Sequence, residues 1–174
     1  MKFRKFLSIL KNQKGFTLIE VIVVLAITGL IGAGASMATV QVVNQGGRNS
    51  DYTIASRHTL NAIQWISRDT QMAQTIEPDG SSGFPLTLSW VEWDNSAHQI
   101  VYSIEEDKLR RSYSIDGGEP SETVVAQCID LLSENTRCEV QGEMLNLKVT
   151  AIVGEGSSAV SVTKVREITP RPGL

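Results

Sequence analysis

A long apolar segment constrains this chain more than any other feature. It begins at Phe16 and continues to Val43, and only Glu20, Gln41 and a few Thr and Ser residues interrupt it. About 28 residues of α-helix measure roughly 42 Å, at 1.5 Å per residue. This exceeds the roughly 30 Å hydrocarbon core of a bilayer. The sequence therefore predicts a membrane-spanning helix close to the N-terminus.

The fifteen residues before this segment form a basic leader. They contain five cationic side chains and no acid, and these are Lys2, Arg4, Lys5, Lys11 and Lys14. An ordinary secretory signal places its apolar core ahead of the cleavage site. Here the predicted cut, between Gly15 and Phe16, precedes the apolar core, so that core stays on the mature protein. The positive-inside rule then predicts a single-pass protein of the cytoplasmic (inner) membrane, with its N-terminus in the cytoplasm and its C-terminal part outside.

Glu20 is the one carboxylate in the apolar segment and lies five residues after Gly15. A charged side chain at the centre of a membrane helix costs about 2.5–3.5 kcal/mol on insertion scales, and such residues are usually functional. The alternative is that Glu20 extends to the cytoplasmic interface, since it lies only one helical turn into the segment.

Together, the basic leader, Gly15-Phe16 and Glu20 resemble the class III signal of type IV pilins and of the pseudopilins of type II secretion systems. By this resemblance, prepilin peptidase would cut after Gly15. The same enzyme family would methylate the new N-terminal amine of Phe16. Glu20 would pair with the N-terminal ammonium of a neighbouring subunit during assembly.

The rest of the chain predicts one further stretch of helix and a β-rich region. Small and apolar residues recur at helical spacing after residue 50, which predicts an amphipathic helix that ends at Pro78–Gly83. The predicted segments are a leader over 1–15, a membrane and assembly helix over 16–43, an amphipathic stem over 44–77 and an exported head over 84–174. The fold class is α+β, and the resemblance implies the type IV pilin fold, in which a long N-terminal helix packs on an antiparallel sheet.

Alternating apolar residues predict the strands of the head. The alternating runs begin near Leu86, Ile100, Leu109, Leu145 and Val160. The acidic residues 105–107 suit a hairpin turn, residues 154–158 suit a second turn, and a change of phase near Lys164-Val165 predicts a β-bulge.

The order of these elements is similar to that of minor pseudopilins of the J type and minor pilins of the W type. Many major pilins carry a proline about 22 residues into the mature helix, where this chain has Met37. Both observations favour a minor subunit.

The charge of the chain argues against a nucleic-acid partner. All 19 acidic residues follow Gly15, but only 11 of the 16 basic residues do, which gives the mature chain a net charge near −8. Nucleic-acid phosphates are bound by clustered Lys and Arg. The one tight basic cluster contains Lys108, Arg110 and Arg111, and we interpret it as a solvated strand face.

Cys128 and Cys138 are the only cysteines, and both fall in the part that is predicted to be exported. Disulfides persist outside the cytoplasm, so these two residues are a candidate disulfide, with two buried free thiols as the alternative.

No residue pattern predicts an enzyme, a cofactor or a metal site. His58 and His98 have no nucleophile or second metal ligand beside them in the sequence. The acidic segment 116–120 lacks the alternating ligand spacing of a calcium loop, so a solvated turn is expected there.

The predicted function is therefore structural. The chain would be a subunit of a type IV pilus or a type II secretion pseudopilus, and the resemblance above implies a minor subunit. Its partners would be other pilins, prepilin peptidase, the inner-membrane assembly platform and membrane lipid. Two alternatives stay open, namely a signal-anchored membrane protein that carries an exported binding module, and a subunit of a competence pilus.

Overall fold

A computed structural model describes residues 15–171 of the chain. One long helix, α1, is followed by eight strands. Their bounds are α1 Leu18–Thr70, β1 Thr75–Pro78, β2 Leu86–Val91, β3 Ala97–Glu105, β4 Lys108–Ile115, β5 Ser121–Ala126, β6 Arg137–Gln141, β7 Met144–Val153 and β8 Val160–Ile168.

The chain divides into two compact units at the Gly46-Gly47 pair. In the first unit, the described residues belong almost entirely to the N-terminal part of α1, and every one of them is exposed. Within the described part of the chain, α1 is the one helix that is long and apolar enough to cross a membrane. This agrees with the membrane helix predicted from the sequence.

The second unit contains two antiparallel sheets and the C-terminal part of α1. β1 to β5 form a five-stranded sheet in which every strand pairs with its neighbour in the chain, and β6 to β8 form a three-stranded sheet in the same manner. The helix buries a face of mostly small and branched residues at helical spacing. These residues are Ala55, Thr59, Ala62, Ile63 and Ile66. We call the second unit the head.

The core of the head lies on the inward side of each strand. Leu86, Leu88 and Trp90 alternate along β2 and are all buried, and Ile100 and Tyr102 are buried on β3. On β7 the buried apolar residues are Leu145, Leu147, Val149 and Ala151. The alternation has the two-residue period of a strand with one face in the core. The α+β class is confirmed, and the long N-terminal helix with its antiparallel head matches the type IV pilin fold.

The structure corrects the predicted end of the helix. The stem was predicted to reach residue 77, but α1 ends at Thr70 and Thr75–Pro78 forms β1 instead. The backbone explains the early end, because the Gln74 N–H donates to the Ser89 carbonyl oxygen on β2 at 2.9 Å. In addition, the Gln74 side chain accepts a hydrogen bond from the Val91 N–H. The Gln71 and Ala73 N–H groups still donate to carbonyl oxygens four residues earlier, and pairing with β2 replaces helical hydrogen bonds from Gln74 onward.

The strand predictions are mostly confirmed, with one error of detail. The predicted turn at 105–107 joins β3 to β4, and residues 154–158 connect β7 to β8. The predicted bulge near Lys164-Val165 is wrong, because β7 and β8 pair in continuous register from Leu145↔Ile168 to Val153↔Val160. A register shift occurs instead between Leu109 and Arg110, where β4 pairs with β5.

Candidate functional sites

The predicted cleavage site lies just ahead of the helix. Gly15 and Phe16 are outside α1, and the Phe16 side chain is 80% exposed. Thr17 caps the helix, since its Oγ1 accepts a hydrogen bond from the Glu20 N–H at 3.3 Å and its carbonyl oxygen accepts from the Val21 N–H. Such a cap satisfies backbone donors that the first helical turn leaves free. The Gly15–Phe16 bond therefore joins two exposed residues that lie outside the helix.

Glu20 is in the first turn of α1 and is exposed. A carboxylate at this position is favoured by the positive end of the helix dipole. Among the described residues, no hydrogen bond or ion pair reaches the Glu20 carboxylate.

The hydroxyl groups of the apolar helix have partners within the helix itself. Thr28 Oγ1 donates to the Val24 carbonyl oxygen at 2.8 Å. Ser36 and Thr39 donate in the same way to the carbonyl oxygens four residues earlier, each at 2.9 Å. These hydroxyl groups therefore need no further hydrogen-bond acceptor in an apolar environment.

A buried ion pair connects the helix to the larger sheet of the head. Asp69, near the end of α1, is only 2% exposed, and its Oδ2 accepts from Arg111 Nε at 2.7 Å and from Tyr102 Oη at 2.5 Å. The Arg111 guanidinium lies over the Trp65 ring at 5.3 Å and over the Tyr113 ring at 5.2 Å. Both distances suit cation–π attraction.

This cluster changes the protonation equilibria of its members. Burial, followed by the charge of Asp69, raises the pKa of the Tyr102 hydroxyl above its ordinary value. Burial would lower the pKa of Arg111, but the hydrogen bond and charge of Asp69 outweigh it and raise that pKa. The cluster therefore holds a cation, an anion and a neutral phenol in fixed positions, which is an arrangement for joining two elements.

The expectation that Arg111 lies on a solvated face is wrong, because its side chain is only 16% exposed and pairs with Asp69. Its two basic neighbours fit the expectation better. Lys108 Nζ lies 3.1 Å from Glu106 Oε2, and Arg110 Nε lies 3.1 Å from Glu105 Oε2. Local carboxylates thus neutralise this basic cluster.

A row of aromatic rings crosses strands β2, β3 and β4. The Trp90 and His98 rings stack with centroids 5.1 Å apart, and His98 stacks on Tyr113 at 5.8 Å. The Ser96 hydroxyl donates to Asp94 Oδ1 at 2.6 Å, so it must accept from His98 Nε2–H at 2.9 Å. His98 Nδ1 and the Tyr113 hydroxyl oxygen form a further hydrogen bond at 2.6 Å. A histidine that donates to the serine cannot remove its proton, so this Asp-Ser-His set is unlike a nucleophilic triad.

The other histidine, His58, has a structural contact. Its Nδ1 accepts a hydrogen bond from the Gln127 N–H at 3.2 Å, which connects α1 to the end of β5. In the acidic segment, Asp116 and Gly117 form a turn with positive φ, and Asp116 Oδ1 accepts from the Ala97 N–H. Over residues 15–171, no three His, Cys, Asp or Glu side chains gather in a way that could hold a metal ion.

Cys128 and Cys138 are free cysteines in the structure, so the candidate disulfide is not formed there. Each thiol has different neighbours. Cys138 is buried, its Sγ donates to the Gly83 carbonyl oxygen at 2.7 Å, and burial followed by the charge of Glu139 raises its pKa to about 12. Burial and the charge of Asp107 raise the pKa of Cys128.

The Asp69–Arg111 pair was not predicted from the sequence. Asp69 follows Arg68 near the end of the amphipathic helix, and Arg111 alternates with apolar residues on β4. The one signal available was the unpaired charge within each apolar pattern, since a buried charge needs a partner.

Comparison with protein-family models matches residues 10–36 to the family described as Prokaryotic N-terminal methylation motif. Comparisons with curated proteins and with solved structures found no match to this chain. The matched segment contains Gly15, Phe16 and Glu20, the three residues on which the resemblance to prepilins depends. The chain thus carries a prepilin-type signal ahead of its apolar helix, which supports the pilin and pseudopilin family and a structural subunit.

Proposed function

We propose that this chain is a precursor of a pilin-like subunit that prepilin peptidase cleaves between Gly15 and Phe16. The observation that carries the proposal is the methylation motif at residues 10–36, which coincides with the start of the exposed apolar helix. Methylation of the Phe16 amine would follow cleavage. The mature protein would then begin with the amine of Phe16, four residues before Glu20.

Assembly would proceed through the N-terminal part of α1. All described residues up to position 50 are exposed, so the apolar side chains of this helix need either lipid or other helices around them. A bundle of pilin helices meets that need outside the bilayer. In such a bundle, Glu20 would pair with the Phe16 ammonium of a neighbouring subunit, since an unpaired charge in an apolar environment is strongly unfavourable.

The mature subunit would be a minor component of a type IV pilus or of a type II secretion pseudopilus. Met37 in place of the proline found in many major pilins supports this assignment, as does the eight-stranded head. The head would then lie outside the inner membrane and on the filament. Its acidic surface favours protein contacts over nucleic acid, which disfavours a DNA-binding role in a competence pilus.

The test is the N-terminal mass of the protein purified from the membranes of its own host. We expect a chain that begins at Phe16, with one added methyl group. Gly15→Val should leave most of the protein starting at Met1, because a branched side chain blocks the peptidase cleft. Gly29→Val, inside the helix where nothing lies within 4 Å of an added Cβ, should leave processing unchanged.

An unprocessed wild-type chain in a host with active prepilin peptidase would contradict the proposal. The remaining explanation would then be a signal-anchored membrane protein with an exported binding module.

A further inference from the structure

Trp93, in the turn between β2 and β3, is 93% exposed. Of the other two tryptophans, Trp90 is 6% exposed and Trp65 is 37% exposed. A fully exposed indole leaves a large apolar area in contact with water and contributes no burial energy to the stability of the fold. Tryptophan is also among the residues most enriched at the energetic centres of protein interfaces.

The turn that carries Trp93 is held by a dense set of hydrogen bonds. The Glu92 N–H donates to the Ser96 carbonyl oxygen at 3.0 Å, and the Asn95 N–H donates to the Glu92 carbonyl oxygen at 3.1 Å. Asp94 Oδ1 accepts from both the N–H and the hydroxyl of Ser96, and the hydroxyl hydrogen bond holds the pKa of Asp94 below its ordinary value. Ser96 is in turn bonded to the stacked His98 ring. The backbone under Trp93 is therefore preorganised, which lowers the entropy cost of binding.

The indole belongs to a wider apolar surface. Val91 and Met72 are 46% and 41% exposed and line the same groove as Trp93. We call Trp93, Val91 and Met72, together with the carboxylates Glu92 and Asp94 beside them, the Trp93 surface. An apolar centre with a charged rim is the usual composition of a protein interface.

The net charge of the head indicates which kind of partner the Trp93 surface binds. Residues 84–174 contain 14 acidic and 8 basic side chains, a net charge of −6. Glu92 and Asp94 flank Trp93 in the sequence and are both exposed, whereas the groove itself is lined by one acid and one base, Glu92 and Arg171. A second copy of this chain would bring a similarly acidic head, and anionic lipid would also be repelled. The complementary partner is a different protein with an apolar pocket that Lys or Arg residues surround.

We propose that the Trp93 surface docks a different subunit of the same filament, one that presents such a basic-rimmed apolar pocket. This inference rests on the proposed function for the identity of the partner. It adds where on the head this contact lies, namely at the turn between β2 and β3 and the groove beside it.

The test is photo-cross-linking in the native host, with a photoreactive phenylalanine analogue at position 93 of the full chain. We expect one main adduct with another protein that carries an N-terminal methylation motif, and mass spectrometry should place the cross-link beside Lys or Arg. The matched control puts the same analogue at Val165, which is 68% exposed on β8 and should give at least about tenfold less of that adduct.

Two substitutions extend the test once the partner is identified. Trp93→Ala should lower co-purification of the partner at least about tenfold, as expected for the central residue of an interface. Glu92→Gln should weaken it more than Glu155→Gln, which removes a charge from the exposed turn between β7 and β8. Equal effects of these two substitutions would contradict the charge argument.

An adduct with a second copy, an adduct with lipid, or no adduct above the Val165 control would overturn the inference. The proposed function is tested separately, by the N-terminal mass of the protein from the same cells. A chain that starts at Phe16 but gives no specific adduct at position 93 would refute the docking surface alone. A chain that starts at Met1 would refute the proposed function.

Discussion

At the scale of single residues, Asp69 shows how a buried charge is accommodated. Its carboxylate accepts hydrogen bonds from Arg111 and Tyr102, and two aromatic rings flank the guanidinium. Burying a salt bridge adds little net stability, because desolvation offsets most of the attraction. Removing one partner is costly, since the other charge stays buried alone. The cluster thus fixes where α1 meets β4 more than it strengthens the head.

Arg111→Met should therefore destabilise the head by about 3–5 kcal/mol, through the uncompensated carboxylate of Asp69. Arg110→Met is the matched control, because Arg110 is the neighbouring arginine on β4 and pairs only with partly exposed carboxylates. The control should change the free energy of unfolding by less than about 1 kcal/mol. Urea unfolding of the solubilised full chain, followed by tryptophan fluorescence, measures both.

The double variant Asp69→Leu/Arg111→Met distinguishes two causes of the instability, namely the loss of the ion-pair attraction and the cost of a buried carboxylate without a partner. It should recover most of the stability, because neither charge is left buried without a partner. A double variant as unstable as Arg111→Met would mean that packing around the guanidinium, and not charge, accounts for the loss.

Residue roles differed in how far the sequence could reveal them. Gly15, Phe16 and Glu20 lie within six consecutive positions, so their shared pattern is visible without a fold. Asp69 and Arg111 are 42 positions apart and become neighbours only when α1 packs on the sheet. Hydrophobic periodicity assigns a polar residue on an amphipathic helix to the solvent-exposed face. It does not predict that a single charged residue is buried and paired with an opposite charge on another element.

At the scale of elements, the turn before β2 closely approaches β6 of the smaller sheet. Gly83 has φ +74°, and a Cβ built on it would overlap the Cys138 carbonyl group and lie 2.7 Å from Cys138 Sγ. The Cys138 N–H donates to the Ser82 carbonyl oxygen at 2.9 Å, and Cys138 Sγ donates to Gly83. Residues 82–83 thus join the two sheets through backbone contacts that leave no space for a side chain.

Gly83→Ala should consequently separate the sheets locally and destabilise the head. The matched control is Gly142→Ala, because Gly142 has a similar φ of +63° but nothing within 4 Å of an added Cβ. The control should cost about 1–2 kcal/mol, for the left-handed conformation alone. Gly83→Ala should cost about 1–3 kcal/mol more, for the overlap with β6. Equal losses in thermal or urea unfolding would show that the close approach can relax.

The sequence predicted the interior strands better than the edge strands. β2, β3 and β7 each bury alternate residues, and the alternation was visible in the sequence. β1 contains Pro78 and buries none of its four residues, while β5 and β6 are exposed along most of their length. Strands with little to bury carry no two-residue pattern, so hydrogen bonding to a neighbour is their main determinant.

At the scale of the whole molecule, the two units place different demands on their surroundings. The head buries its own core, whereas the described residues of the first unit bury nothing within the chain. The apolar side chains of the first unit therefore need lipid or other helices around them. Glu20 is the one acidic residue among residues 15–46, and in the proposed filament its carboxylate would need the ammonium of a neighbouring subunit.

Glu20→Ala should leave membrane insertion and cleavage intact and reduce incorporation into filaments at least about tenfold. The neighbouring ammonium would be left unpaired, at a cost of about 3–5 kcal/mol. Gln41→Ala, which removes a neutral polar side chain from the same helix, should assemble normally. Immunoblotting of sheared filaments against the membrane fraction gives both quantities. Normal incorporation of Glu20→Ala would exclude charge pairing as the determinant of assembly.

The hydroxyl groups of Thr28, Ser36 and Thr39 have a consequence for how selective the helix can be. Each donates a hydrogen bond to the backbone carbonyl oxygen four residues earlier in the same helix. The bond therefore needs no acceptor from lipid or from another protein. Moving the helix from lipid into a bundle of other helices leaves these three hydrogen bonds unchanged. They therefore contribute almost nothing to the free-energy difference between the two environments. A helix of this kind is nearly indifferent to its neighbours along most of its length. In the proposed filament, recognition of the correct neighbour would then depend on the first turn of the helix and on the head.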